Sequence, residues 1–207
     1  MFVTISREFG AGGSTVAQMV ASRLRWRVVD NQVLEEVARR AGLSPDDVAR
    51  REERGPSFIE RLARALSAAT PELLTNDQVD PPEADEARLV RLTEQVVTDA
   101  CQEGPAVLVG RAAVALLSRR EDALHVRLVA PVPHRILVVA ERLGTTHDEA
   151  ERQIKATDAN RDRYHRQWYH RDWRDPANYH LTLNTGWLGL DRTADLIVTL
   201  AEPLAGK

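Results

Sequence analysis

The chain has 207 residues, of which 31 are acidic, 28 basic and one a cysteine. That length fits one domain able to bury a core without disulfides or metals, and the near-balanced charge excludes a general electrostatic attraction to nucleic acid or to an anionic membrane. No window is long and apolar enough to span a membrane, and no basic-then-apolar leader precedes the first strand, so a cytoplasmic protein with no membrane partner is expected.

The first stretch, 2–15, reads Phe-Val-Thr-Ile-Ser-Arg-Glu-Phe-Gly-Ala-Gly-Gly-Ser-Thr. An apolar β-prone segment, a glycine-rich turn and a hydroxyl pair opening a helix make the layout of a phosphate-binding loop, where backbone N–H groups and the helix dipole face an anion. A Walker A loop requires Gly-x-x-x-x-Gly-Lys-Ser/Thr. With Gly12 as its second glycine, Ser14 takes the Mg²⁺-binding hydroxyl position, while Arg7 replaces the first glycine and Gly13 the lysine. Two other readings stay open. Gly10-x-Gly12 with Asp30 downstream suits a dinucleotide fingerprint, although Thr15 holds its third glycine position and Arg7-Glu8-Phe9 separate the glycines from the strand. A plain tight βα turn is the second.

A helix over 14–25 places Val16, Met19, Val20 and Leu24 on one face. Strand 27–30 follows, and two strands joined by one helix must be parallel, with a ligand at their carboxyl ends. Helices are expected over 32–41, from Ser44-Pro45-Asp46-Asp47 to the charge cluster 50–54, and over 58–66; the proline-bearing stretch 67–84 reads as a mobile excursion. After a helix over 86–101 comes Ala106-Val107-Leu108-Val109, a buried parallel strand that delivers Gly110-Arg111 to the loop's edge. Cys101 reads as a small core residue. Residues 124–129 alternate, which predicts a strand with one wetter face. A helix over 133–143 and a capping box at Thr146-His147-Asp148-Glu149, opening a helix to about Trp168, come next. Strand 179–184 and a helix over 191–200 close the chain. The alternation predicts a doubly wound α/β domain on a parallel five-stranded sheet.

Four motifs in this order, Ile5-Ser6-Arg7-Glu8-Phe9-Gly10-Ala11-Gly12-Gly13-Ser14-Thr15, Val28-Val29-Asp30, Val107-Leu108-Val109-Gly110-Arg111, and Asp175-Pro176-Ala177-Asn178-Tyr179 leading to Leu183-Asn184-Thr185, resemble the cytidylate kinase-like family of P-loop proteins. The likeness spans nearly the whole chain, and through the true cytidylate kinases it implies the nucleoside-monophosphate kinase fold. It implies one P-loop kinase-like domain over 1–207 with a helical substrate-covering insertion over 44–104 and an arginine-rich lid over 146–174. It also implies ATP and Mg²⁺ at the loop, with Gly10, Ala11, Gly12, Gly13, Ser14 and Thr15 around the phosphates. Asp30 and the pair Gly110-Arg111 match positions beside the nucleoside monophosphate, and Asp158 with the arginines after it matches the lid pattern, making Arg161 and Arg163 the lid's fingers. The chain departs from the true kinases at Gly13 for lysine, Ala112 for aspartate and Glu36 for arginine.

Each candidate has a plainer reading beside the functional one. Arg7 either supplies the cation missing at Gly13 or caps its strand in an ion pair with Glu8 or a neighbouring acid. Asp30 either holds a Mg²⁺-bound water or orients the substrate, or caps the next helix. Arg111 leaves a buried strand at the ligand edge, which favours a phosphate contact. Between Arg161 and Arg174, arginines interleave with Tyr164, Trp168, Tyr169 and Trp173. That pattern suits a lid, a stacking surface for nucleic acid, which the acidic balance disfavours, or a homodimer interface. His165 and His170 lack companions for a metal site. The expected function is transfer of the γ-phosphoryl of ATP to a nucleoside monophosphate, CMP or dCMP first, or to another small acceptor. The rival is a nucleotide-binding regulator that kept the fold and lost turnover.

Overall fold

The structure, a computed structural model, describes residues 1–30, 90–91, 94–95 and 97–205, with the side chains of 111, 112 and 203–205 excepted. The helices expected over 32–41, 44–54 and 58–66, the stretch 67–84 and Glu36 lie outside the described residues. The chain divides into two compact units, 1–30 with 99–207, and 31–98. In the second, the described residues 90, 91, 94, 95, 97 and 98 are helical.

The first unit is built on a sheet in the order β2-β3-β1-β4-β5. β1 (Phe2–Arg7) lies at its centre between β3 (Ala106–Val109) and β4 (Ala123–Val129); β2 (Arg27–Asp30) flanks β3 and β5 (Leu181–Asn184) flanks β4. Every pairing is parallel. Arg7 stands level with Leu128 and Asp30 with Val109. The ends of β1, β2 and β3 therefore open on one edge, where ligands of such sheets bind.

One sheet face carries Val3, Ile5, Val107, Val109, Leu124, Val126 and Leu128. On it pack α1 (Gly13–Leu24), through Val16, Ala17, Val20 and Ala21, and α6 (Leu190–Ala205), through Ala194, Ile197 and Ala201. These runs have the helical spacing of a stripe turned to a sheet, and burying each large apolar side chain contributes roughly 1.5–3 kcal/mol.

The wetter face expected for β4 is not found. His125 and Arg127, on the face opposite Val126, are 3% and 5% exposed. Their strand lies between β1 and β5 and is covered on both sides, so alternation marks here a change of chemistry and not of solvent. His125 Nδ1 is hydrogen-bonded to Thr4 Oγ1 at 2.7 Å, and its ring stacks on His180 at 4.9 Å. The Arg127 guanidinium lies over the Trp173 ring at 4.7 Å and donates to the Trp173 carbonyl at 2.5 Å.

Two helices follow β4. α3 (Val132–Leu143) ends at Gly144 with φ 60, and α4 (His147–Tyr169) opens at Thr146, whose Oγ1 accepts from the Glu149 N–H at 3.3 Å. Only this half of the capping box forms, because the Glu149 carboxylate is taken by Arg152 and Gln153. After a 3₁₀ turn, Pro176–Asn178, β5 begins at Leu181, two residues later than the apolar pattern predicts, because Tyr179 turns into the core. A short helix α5 (Thr185–Leu188) precedes α6, and the break at Gly189, φ 76, separates them.

Candidate functional site

The loop between β1 and α1 turns on two glycines in the left-handed region, Gly10 with φ 87 and Gly12 with φ 73. Both also touch their surroundings closely. A Cβ on Gly10 would lie 2.9 Å from Val139 Cγ2, and one on Gly12 would lie 2.5 Å from Leu190 Cδ2. Gly12 caps α1 with no side-chain bond, so the N–H groups of Gly13, Ser14 and Thr15 have no partner within the helix, and Ser14 and Thr15 are exposed. That is the arrangement that receives an anion.

Gly13 has an ordinary helical backbone and is glycine for another reason. A Cβ there would lie 2.5 Å from Arg7 Cγ, 2.9 Å from Arg7 Cβ and 3.1 Å from Arg7 Cδ. The stem of Arg7 fills the room in which a side chain from position 13 would start. The Arg7 guanidinium, on a side chain 6% exposed, pairs with Asp30 Oδ1 at 3.4 Å, and Ser14 Oγ donates to Asp30 Oδ2 at 2.8 Å. Arg7, Asp30 and Ser14 are thus brought together, with the ion pair to a neighbouring acid formed to Asp30 and not to Glu8.

The rest of the loop is fastened from behind. Glu8 Oε1 pairs with Arg127 at 3.4 Å, while its Oε2 accepts from the Ala130 N–H at 3.3 Å and lies 3.5 Å from Arg135 Nε. The Ala11 carbonyl accepts from Thr185 Oγ1 at 3.0 Å. One residue before Arg7, Ser6 Oγ accepts from Trp173 Nε1 at 2.8 Å and lies 3.3 Å from the Tyr179 hydroxyl. Burial pushes the Tyr179 phenol up, partly offset by that bond and by Arg127.

Arg161 is buried, and its Nη1 donates to the Arg7 carbonyl at 2.8 Å, facing the loop's rear. Arg163 is exposed and, with Asp162, Arg166, Gln167 and Arg174, lines an open depression. Gly110 caps α2 (Arg111–Leu116), whose first residue brings the Arg111 backbone to the edge shared with the loop. Of the aromatic residues interleaved with these arginines, Tyr164 and Trp173 are buried, and Trp168 and Tyr169 half-buried.

Among the described residues, no three His, Cys, Asp or Glu side chains cluster as a metal cage. Ser14 and Asp30 offer one hydroxyl and one carboxylate side by side, an all-oxygen pair. Such a donor set suits Mg²⁺ held jointly by protein, water and phosphate oxygens.

Glu8, Arg127, Arg135 and Thr185 hold the loop although the sequence does not single them out. Glu8 and Thr185 stand inside the motifs, whereas Arg127 and Arg135 carry no local signal.

The family model described as the cytidylate kinase-like family matches residues 2–186. An uncharacterized protein from Eubacterium ventriosum has a similar structure, with a TM-score of 0.67 at 20% identity over 98% of each chain. TT1252 from Thermus thermophilus gives 0.52 at 22% identity, over 98% of this chain and 97% of its own. A shikimate kinase from Acinetobacter baumannii in complex with shikimate is more remote, at 0.49 and 14% identity over 100% of this chain and 94% of its own. For the first two, at these identities, the likeness is one of fold. No curated protein matches the sequence significantly.

Proposed function

Since the chain belongs to the cytidylate kinase-like family, we propose that it is a phosphotransferase that binds ATP·Mg²⁺ at Gly10–Thr15 and moves the γ-phosphoryl to a nucleoside monophosphate, CMP or dCMP first, or to another small phosphate acceptor. The observation that carries this reading is the joint placement of Ser14, Asp30 and Arg7 at the mouth of the glycine loop, with Ser14 Oγ 2.8 Å from Asp30 Oδ2. In phosphoryl transfer the protein positions the groups and offsets charge on the equatorial oxygens while the acceptor oxygen attacks phosphorus and the bridging oxygen leaves with ADP.

The loop N–H groups and the α1 dipole would hold the donor's β- and γ-phosphates. Ser14 and Asp30 would hold Mg²⁺, which when bound neutralises phosphate charge. Arg7, which pairs with Asp30, would set its positive charge beside the phosphates in place of the lysine. Arg163, exposed on α4, would close on the phosphates, and Arg111 would meet the acceptor's phosphate. The domain reading belongs to this proposal: 44–104 covers the acceptor and 146–174 serves as the lid. So does a cytoplasmic location; among the described residues no helix is long and apolar enough to cross a membrane.

One observation favours the rival. Position 13 has no lysine, and the cation that fills its room already has an acid at 3.4 Å. A missing preorganised donor of this kind costs on the order of a hundred- to a thousandfold in rate, enough to leave a nucleotide-binding regulator. A coupled assay of ATP·Mg²⁺ with a panel of nucleoside monophosphates and other small phosphate acceptors separates the two. Turnover on one acceptor is expected; calorimetric binding of ATP with no product from any acceptor would sink the kinase reading.

A further inference from the structure

Phe9 links β1 to the first loop glycine, and its peptide groups are held from both sides. Its N–H donates to Asp158 Oδ1 at 2.9 Å, and its carbonyl accepts from Arg135 Nη1 at 3.2 Å. The two side chains are themselves paired, Arg135 Nη1 to Asp158 Oδ2 at 2.6 Å. Arg135 is further held by its Nε bond to the Ala130 carbonyl at 3.0 Å. Arg161 Nη1 lies 3.3 Å from Asp158 Oδ1 and donates to the Arg7 carbonyl, two residues before Phe9. The Phe9 ring packs on Val139, Ala140, Ala150 and Ile154, with the Arg142 guanidinium over it at 4.9 Å.

Burying a carboxylate and two guanidiniums is unfavourable unless every lone pair and proton finds a partner, and a buried ion pair is by itself weak evidence of stability. Here main-chain groups at the start of one loop, the Phe9 N–H and carbonyl and the Arg7 carbonyl, are among those partners. The α4 residues Ala150, Ile154, Asp158, Arg161 and His165 form one buried face at helical spacing. Its first half meets apolar α3; its second half turns polar where it meets the loop.

We propose that Asp158, together with Arg135, is a positioning residue for the phosphate loop. It fixes the Phe9 peptide from which Gly10 to Gly12 turn, and so sets the direction of the N–H groups at the start of α1. It also fastens α4 to the loop at its middle. This rests on the reading above that the loop receives a nucleotide's phosphates.

The test uses the full chain and three variants, Asp158→Ala, Asp158→Asn and, as a control in α6 two turns beyond Leu190, Ile197→Ala. Calorimetry with inorganic tripolyphosphate and with ATP, each with Mg²⁺, is combined with amide hydrogen exchange of residues 9–14 well below Tm. Asp158→Ala is expected to weaken both ligands at least tenfold and to speed loop exchange at least tenfold. Asp158→Asn keeps an acceptor for the Phe9 N–H and should fall between it and the parent. Ile197→Ala should lower Tm while leaving ligand affinity and loop exchange as they are. Should Asp158→Ala not fold, Asp158→Asn decides, with a severalfold rise in loop exchange expected. Parent-like affinity and loop exchange in the folded Asp158 variants would overturn the proposal. If the parent protein binds neither ligand, the nucleotide reading falls, and the exchange of residues 9–14 still decides the clamp.

Discussion

Gly13→Ala tests whether Arg7 occupies the room beside the start of α1. On an open helix the change from glycine to alanine stabilises by roughly 0.4–1 kcal/mol, and Gly13 has no left-handed backbone to forbid it. Here the added carbon would come within 2.5 Å of Arg7 Cγ. Arg7 cannot swing aside cheaply, because it leaves a central strand and its guanidinium is held on Asp30. Overpacking of this kind costs about 1–3 kcal/mol. The net expectation is a loss of about 0.5–2 kcal/mol, which at roughly 2–4 °C per kcal/mol for a chain of this size lowers Tm by about 1–8 °C. In an Arg7→Gly background the sign should reverse; glycine is needed because Arg7 Cβ itself would lie 2.9 Å from the new carbon. Thermal and urea unfolding of the four proteins completes a double-mutant cycle with a coupling of about 1–3 kcal/mol. A rise in Tm in both backgrounds, with coupling below about 0.5 kcal/mol, would show that the room is empty and that position 13 is glycine for some other cause.

Ser14→Ala removes the hydroxyl that donates to Asp30 Oδ2; ATP binding should lose most of its Mg²⁺ dependence, and calorimetry giving the parent's Mg²⁺ dependence would remove Ser14 from the metal's ligands. Burial, helped by the charges of His180 and Arg171, holds His125 down at about 4. The unfolded chain therefore takes up that proton first, so the contribution to stability is complete above the ordinary histidine value and is lost as pH falls from about 6.5 toward 4. Between pH 7 and 4.5 the parent should lose about 2 kcal/mol more than His125→Gln in urea unfolding; equal losses would refute it. Trp173→Phe deletes the donor to Ser6 Oγ and should cost about 1–2 kcal/mol, read from the urea midpoint at unchanged slope.

Elements with one-dimensional signals are legible in the amino-acid sequence alone. The glycine loop, the five strands and the capped α4 follow from periodicity and turn chemistry, and Arg7 and Asp30 can be singled out because both stand at strand ends beside the loop. Which partner Arg7 takes cannot be read there, since Glu8 and Asp30 are both acids in reach and only the strand order brings Asp30 to its side. β4 misleads for a related reason. His125 and Arg127 look like solvent positions, yet their burial is made tolerable by Thr4, His180, Trp173 and Glu8, which the chain supplies from far away. Arg135 carries no local signal; it is buried where the loop above it has main-chain groups to satisfy.

The central place of β1 has a consequence for how the chain acquires its structure. Phe2 pairs with Ala106 on one side and Ala123 on the other. No partner strand for β1 therefore exists until about half of the residues between the first strand and the last helix have been synthesised, a wait of roughly 5 to 20 s at ribosomal rates. Through that interval Phe2, Val3 and Ile5 stand as an unpaired apolar strand, open to aggregation or to a chaperone. Once released, the chain must close its longest-range pairings to form the sheet at all, which places it among slower folders, and the loop after β1 takes its shape only when the last strands arrive.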